Sequence, residues 1–379
     1  MNEVQVLEKS MDYDKLVKEF GVSLIDTVID KFDNPHYLIR RRHFFAHRDL
    51  DKILDGYKNG KKFAIVSGRG PSNPIHIGHL MIFKFVKWFQ DAYGAEIYLP
   101  LSDDEKYVFG KIKDLNTAEY YAYDNALDML ALGFNPDKTH IFISSKYLPI
   151  YQHAIAISRY ATFNTVKAVF GFKGETNPGA IFYPAIQAAH ILLPTFDKEL
   201  PVLVPIAIDQ DPYIRLTRDI AERLKVTKPA AIHSKFLRGL DGKPMSASNP
   251  ETSIFTHDSN KEIKKKVWRA LTGGRGTIEE QKKLGGEPEK CVVFEWLRLL
   301  FLAEDTELQR VYDECTSGKR ICGDTKKELT KLLVDFLQEH RKKKLEVAKI
   351  IDKFFMHEIN RDIVNQIAEQ TKKEIEQYG

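Results

Sequence analysis

The chain has 379 residues, of which 43% are hydrophobic and 11% aromatic, enough to bury a sizeable core in two domains with an appendage. Its 57 basic and 53 acidic residues give a formal net charge of +4, which excludes a polycationic protein held to nucleic acid by charge alone. No stretch approaches the ~18 consecutive apolar residues that span a bilayer, and residues 1–10 lack the apolar core of a targeting signal. We therefore expect a cytoplasmic protein with no membrane partner.

Residues 1–58 are charged and helix-prone, which predicts a short N-terminal helical extension. At Phe63–Val66 a short apolar run indicates a buried strand, and a loop rich in glycine and proline follows it. Apolar residues at helical spacing then continue to Ala92, Gly94 provides a helix stop, and Ile97–Leu99 indicates a second strand. This region therefore begins as a strand, helix, strand unit.

The alternation recurs, with strands expected at 140–143 and 202–208 and helices at about 147–161 and 213–224. Alternating strands and helices predict that residues 59–256 form a Rossmann-like, doubly wound parallel sheet of the α/β class. We expect Asp211 to cap the last of these helices, because a proline follows it.

Beyond about residue 257 only helical periods remain, so residues 257–379 are predicted to form a C-terminal all-α domain. Thr325 and Glu328 have the spacing of a capping box. The three cysteines of the chain lie in this region, and their wide spacing predicts reduced thiols rather than disulfides or a zinc site; they are Cys291, Cys315 and Cys322.

Two loops have residues suited to nucleotide chemistry. In the loop 71–79, between the first strand and its helix, Gly78 lets a phosphate approach the backbone, and His76 and His79 are potential donors to its oxygens. The loop 239–248 follows the last strand and contains lysine and serine, which are suited to closing over a polyphosphate. Taken alone, the histidines of loop 71–79 could be purely structural, and loop 239–248 could be an ordinary surface loop.

Together, and in this order, the two loops resemble the signature of class I aminoacyl-tRNA synthetases. Further segments make the chain similar to tryptophanyl-tRNA synthetases of the archaeal and eukaryotic type, from about residue 12 to about residue 355; these segments are 67–72, 102–106, 184–189 and 207–213. The resemblance implies that L-tryptophan is activated by ATP with Mg²⁺ and transferred to tRNA(Trp). It also implies a homodimer and an anticodon-binding role for residues 257–379, where the basic runs 264–266 and 341–344 are either solvated helix faces or tRNA contacts.

The resemblance also implies residue roles. The catalytic group would be His76, His79, Lys106, Lys243, Ser246 and Ser248. ATP would be bound by Ser67, Gly68, Arg69, Gly70, Pro71, His76, Gly78, His79, Lys106, Ala207, Asp209, Met245 and Ser246. The amino acid would be bound by Glu105, Gln187, Gln210, Val66, Pro100 and Ile214. No protein-bound metal site is expected.

Three positions depart from the family. Val66 stands where tyrosine is common and Pro100 where glutamine or glutamate is usual, and in the family those two side chains are associated with the indole N–H. We therefore expect tryptophan to be bound through shape, Gln187, Gln210 and either a backbone carbonyl or a water molecule, with a raised KM. Pro244 stands where a lysine usually precedes the methionine, so we expect Lys243 to serve instead.

Three other functions are compatible with these motifs. One is an aminoacyl-tRNA synthetase for tyrosine or another aromatic amino acid, and a second is a small-molecule nucleotidyltransferase with the same His-x-Gly-His turn. The third is a noncatalytic synthetase-like protein. An exchange assay between ATP and pyrophosphate across all twenty amino acids separates them.

Overall fold

A computed structural model of the protein describes residues 13–246 and 249–378. Its single sheet has seven strands in the spatial order β1-β2-β7-β6-β3-β4-β5. The strands are β1 (Ser23–Leu24), β2 (Phe44–Arg48), β3 (Ala64–Val66), β4 (Glu96–Leu101), β5 (Thr139–Ile143), β6 (Val202–Ala207) and β7 (Ala230–Ser234).

The helices of the sheet region are α1 (Tyr13–Phe20), α2 (Tyr37–Arg40), α3 (Leu50–Lys58), α4 (Ile77–Tyr93), α5 (Asp103–Val108), α6 (Leu115–Leu130), α7 (Leu148–Ser158), α8 (Phe163–Phe170), α9 (Pro178–Lys198) and α10 (Asp211–Leu224). The later helices are α11 (Asn260–Trp268), α12 (Ile278–Leu284), α13 (Val292–Trp296), α14 (Asp305–Thr316), α15 (Cys322–Ala348) and α16 (Arg361–Tyr378).

The strands β3 to β7 pair in parallel, as the alternating pattern predicts. α4 ends at Gly94, whose φ of +63° is the left-handed conformation expected of a glycine helix stop. α9 is long and apolar enough to cross a bilayer, but two thirds of it is buried inside the protein, so here it is a core helix. The Rossmann-like architecture is therefore confirmed.

The N-terminal extension is not purely helical, which corrects the expectation for residues 1–58. β1 pairs antiparallel with β2, and β2 pairs antiparallel with β7, so the extension completes the sheet. Asp211 is not a cap: its buried carboxylate accepts from Arg48 Nη2 at 2.8 Å and lies 2.9 Å from His233 Nε2. It joins β2, β7 and the start of α10.

The predicted helical region packs directly on the sheet region. The backbone N–H of Met356 donates to Ile141 O at 2.8 Å, and that of Ile141 donates to Phe354 O at 2.8 Å, so residues 354–356 cover the edge of β5. The prediction of a capping box at Thr325 is wrong, because α15 begins three residues earlier, at Cys322. A capping box does form at the start of α11, between Ser259 and Glu262.

The two basic runs are divided between core and surface. Lys344 Nζ lies 2.6 Å from Asp124 Oδ1 and 3.0 Å from Asp128 Oδ1 of α6, and all three groups are enclosed. Arg341 is 2% exposed, and Lys266 donates to Asp258 Oδ2 at 2.6 Å. The rest of both runs is exposed: Lys264, Lys265, Lys342 and Lys343. Part of each run is therefore buried in contacts within the chain, so Lys266, Arg341 and Lys344 do not belong to a solvated face.

The three cysteines meet in space despite their separation in sequence. Cys291, Cys315 and Cys322 line one small apolar cavity among α13, α14 and α15, and all three are free thiols. Burial raises the pKa of Cys315 to about 11, which keeps that thiol protonated at neutral pH. Across residues 13–246 and 249–378, no set of three or more His, Cys, Asp or Glu side chains is arranged to hold a metal ion.

Candidate active site

A cavity of about 510 Å³ opens at the carboxyl ends of the parallel strands, between the sheet and α9. Val66, Pro100, Ala207 and Ser234 place the ends of β3, β4, β6 and β7 around it. This edge is where open α/β sheets bind ligands. Thirteen of the predicted site residues line the cavity: Val66, Ser67, Gly68, Arg69, Gly70, His79, Pro100, Glu105, Lys106, Gln187, Ala207, Gln210 and Ile214.

Arg69 organises the loop that follows β3. Its guanidinium donates to Asn73 Oδ1 at 2.7 Å, to Asn125 Oδ1 of α6 and to His79 Nε2. Enclosure of the guanidinium lowers the pKa of Arg69 to about 10, so the group remains charged at neutral pH. Because these donors are directed into the protein, Arg69 fixes the loop 71–79 rather than reaching towards a phosphate.

The two histidines of the loop are neutral and stacked, with ring centroids 3.6 Å apart. Burial lowers the pKa of His76 to about 3, and burial together with Arg69 and His76 holds the pKa of His79 well below its usual range. His79 faces the cavity, whereas His76 lies behind it and is 6% exposed. Of the two predicted phosphate donors, only His79 is therefore on the cavity wall.

The acidic cluster after β4 divides between core and cavity. Asp103 accepts a hydrogen bond from the backbone N–H of Ser145 at 3.0 Å, and Asp104 accepts from the Tyr151 hydroxyl at 3.0 Å. Burial, assisted by Asp103, raises the pKa of Asp104 to about 7. Glu105 and Lys106 instead line the cavity, so the first two carboxylates anchor α5 and the next two side chains serve the site.

Lys106 lies across Gly70, and its Nζ is 2.8 Å from Glu105 Oε1. A Cβ atom at position 70 would be 1.8 Å from Cε of Lys106, so a side chain there would displace the lysine from its place across this loop. Lys106 is thus a cation held at the cavity rim beside a glycine-rich loop, which suits it to an anionic ligand.

The second predicted loop reaches the first through Met245. A Cβ atom added at Gly78 would be 3.0 Å from Met245 Sδ, so the methionine packs against the first turn of α4. Lys243 and Ser246 are exposed and do not line the cavity. Ser248 lies outside the described residues. The base of the loop is therefore in place, while Lys243 is at its outer surface.

Three more predicted residues lie next to the cavity without lining it. Pro71 is buried in the loop after β3, Gly78 is in the first turn of α4, and Asp209 forms a turn after β6 in which its Oδ2 accepts from Gln210 Nε2 at 2.8 Å. Sequence reasoning missed several lining residues, among them Tyr183, His190 and Tyr213. The helical period through Gln187 was the signal for the first two, because they lie four residues before it and three residues after it on α9.

Comparisons with known proteins agree with this geometry. The family described as tRNA synthetases class I (W and Y) matches residues 58–338. The chain is therefore a class I tRNA synthetase of the tryptophan and tyrosine group.

Individual relatives narrow the class. The Tryptophan--tRNA ligase of Thermococcus onnurineus is 48% identical over 359 residues, and that of Pyrococcus furiosus is 46% identical over 359 residues, each alignment covering 92% of both chains. The crystal structure of the tryptophanyl-tRNA synthetase from the archaeon Aeropyrum pernix has a TM-score of 0.86 at 31% identity, covering 92% of this chain and 97% of that chain. Within its class, the chain belongs to the tryptophan--tRNA ligase family.

Proposed function

We propose that the cavity between the sheet and α9 is where this tryptophan--tRNA ligase performs both steps of its reaction. The carboxylate of L-tryptophan attacks the α-phosphate of ATP, which forms tryptophanyl-adenylate and releases diphosphate; the 3′-terminal ribose of tRNA(Trp) then takes the tryptophanyl group and AMP leaves. The observation that carries this assignment is the Lys106–Glu105 pair at the rim of the cavity, beside Gly70 and His79.

Each side chain has a role that follows from its charge and position. Lys106 supplies positive charge where negative charge builds up on the α-phosphate, and His79 lines the same wall. Glu105 faces the cavity as a carboxylate suited to the substrate ammonium, with Gln187 and Gln210 beside the amino acid. Catalysis then consists of positioning and charge stabilisation, with no covalent bond to the protein.

Mg²⁺ enters this proposal as part of the ATP substrate. Glu105 is the acidic side chain among the lining residues, and its Oε1 is paired with Lys106. A single paired carboxylate does not form the ligand set that would hold a magnesium ion on the protein. When bound, the ion would neutralise phosphate charge, and no step of the mechanism here depends on it.

The test is amino-acid-dependent exchange of pyrophosphate into ATP with the full-length protein, using each of the twenty amino acids. We expect L-tryptophan to support exchange, and tRNA to be charged afterwards. If tyrosine supports exchange and tryptophan does not, the substrate is tyrosine. If none of the twenty amino acids supports exchange, the noncatalytic alternative is favoured.

The loop 239–246 gives a separable prediction. Lys243→Ala should slow adenylate formation about tenfold while changing the KM for tryptophan less than twofold, because a loop cation that reaches the phosphates after closure acts mainly in the transition state. Single-turnover kinetics measure the first quantity and steady-state exchange the second. Lys225→Ala, at the end of α10 and outside the cavity, serves as the control. An unchanged rate in Lys243→Ala would assign the role of the loop to its backbone and serines.

The tRNA contact is proposed to lie on the helical region 257–379. The exposed lysines of its two basic runs remain available to phosphates, namely Lys264, Lys265, Lys342 and Lys343. Arg341, Lys344 and Lys266 are excluded from this role because they are buried in contacts within the chain.

The proposal extends to a cytoplasmic homodimer formed through the catalytic domain. Leu148 and Ile155, seven residues apart on α7, share a helix face and are 67% and 65% exposed. Light scattering should give twice the chain mass of 43.6 kDa, and Leu148→Lys with Ile155→Lys should reduce it to one chain. Leu284→Lys, at a 61% exposed position of α12, should leave the mass unchanged. A wild-type mass of one chain would contradict the dimer.

A further inference from the structure

His190 is a lining residue of the cavity that the reaction scheme above does not use. It lies on the face of α9 that also presents Tyr183, Gln187 and Ile191, because Gln187, His190 and Ile191 follow Tyr183 by four, seven and eight residues. Tyr183 interacts electrostatically with Glu105, which places it at the end of the cavity assigned to the substrate ammonium. His190 is seven residues further along the helix, roughly 10 Å deeper.

The surroundings of His190 are those of a side-chain pocket. Phe142 of β5 lies opposite Pro100 in the sheet register, and its ring centroid is 5.6 Å from that of His190. Val66, Phe142 and Ile191 belong to one apolar cluster between the sheet and α9. His190 therefore lines the same cavity as Val66 and Pro100, the two positions at which this chain lacks the family's polar side chains.

The ring of His190 is held in one orientation. Its Nε2 is 2.9 Å from Oγ of Ser144, a buried residue directly after β5. Burial lowers the pKa of His190 to about 3, so the ring is neutral at physiological pH and has one N–H and one acceptor nitrogen. When Nε2–H donates to Ser144, Nδ1 is the acceptor.

We propose that His190 is a specificity-determining residue of the amino-acid pocket, in which Nε2–H donates to Ser144 Oγ and Nδ1 accepts the indole N–H of bound tryptophan. This rests on the proposed function, because it assumes that the cavity takes an indole. It gives the indole N–H a side-chain acceptor, where the sequence predicts recognition through shape, Gln187, Gln210 and a backbone carbonyl or water molecule. The acceptor is supplied by α9 instead of by the ends of β3 and β4.

The test compares L-tryptophan with 3-benzothienyl-L-alanine, which has the same shape but sulfur in place of the ring N–H. In the wild-type exchange assay, kcat/KM should favour tryptophan by at least tenfold, because the analogue leaves a buried acceptor without its partner. In His190→Leu, tryptophan should lose at least tenfold and the analogue less than threefold, which brings the ratio close to one. Ser144→Ala, a milder change, should lower the ratio at least threefold.

A matched control is His153→Leu on α7, whose ring stacks on Phe196 outside the cavity, with centroids 4.7 Å apart. Its ratio should equal that of the wild type. A wild-type ratio near one, which needs no variant, would overturn the proposal, and so would a tenfold ratio that survives both His190→Leu and Ser144→Ala. Failure of the proposed function is a different result, in which tryptophan does not support exchange in the wild type.

Discussion

Replacing Lys106 with alanine should lower tryptophan-dependent exchange by on the order of 100-fold while the protein stays folded. Arg69 donates its hydrogen bonds to Asn73, Asn125 and His79. Lys106 is therefore the lining cation that is positioned to bind the phosphates. Its side chain lies across Gly70, and its Nζ is 2.8 Å from Glu105 Oε1. Its loss removes a positive charge from the place where negative charge develops on the α-phosphate.

Exchange kinetics and a thermal melt of the same preparation would measure this effect. Lys111→Ala is the matched control, because Lys111 is exposed only five residues further on and does not line the cavity. His79→Ala should also lose more than tenfold, since it removes both a wall of the cavity and an acceptor for Arg69. Near-normal rates in both Lys106→Ala and His79→Ala would contradict the site assignment.

Replacing Lys344 with methionine should lower the free energy of unfolding by roughly 3–5 kcal/mol, because it leaves Asp124 and Asp128 buried without their cation. Burial alone would raise the pKa of Asp128, but Lys344 and His340 hold it below its usual range. A carboxylate with a depressed pKa stabilises the fold above the unfolded-state pKa, about 4, and this contribution is lost as the pH falls. The difference between variant and wild type should therefore shrink in acid.

Urea unfolding at pH 7 and at about pH 3, below the unfolded-state pKa of a carboxyl group, would measure both effects. Lys343→Met, one residue earlier on the same helix, changes an exposed lysine and should alter stability by no more than about 0.5 kcal/mol. Equal stability of the two variants at pH 7 would show that the ion pairs of Lys344 with Asp124 and Asp128 make no net contribution to the free energy of unfolding.

Local patterns were sufficient for β3 to β6 and for α4, α7 and α10, because each of these strands is a short apolar run and each of these helices has its own period. They were insufficient for β2, whose place beside β7 depends on residues almost two hundred positions away. The burial of Lys344 had no local signal either, since its partners Asp124 and Asp128 belong to a helix far earlier in the chain.

The candidate site shows the same division. The loop 71–79 and the Glu105–Lys106 pair were recognisable because each follows a predicted strand. The inward role of Arg69 was not, because its acceptor Asn125 lies on α6, outside every motif. His190 was within reach of the sequence, since it follows Gln187, a residue expected to bind the amino acid, by three residues.

Two contacts limit how this chain can be truncated or recombined: Lys344 contacts α6, and residues 354–356 contact β5. The boundary near residue 257 divides the sequence by periodicity, but it does not mark a detachable module. A fragment ending there would expose two carboxylates evolved for burial and leave β5 as an open edge prone to pairing with another chain. A chimaera that exchanged the helical half with a relative would have to carry Asp124 and Asp128 along with α15.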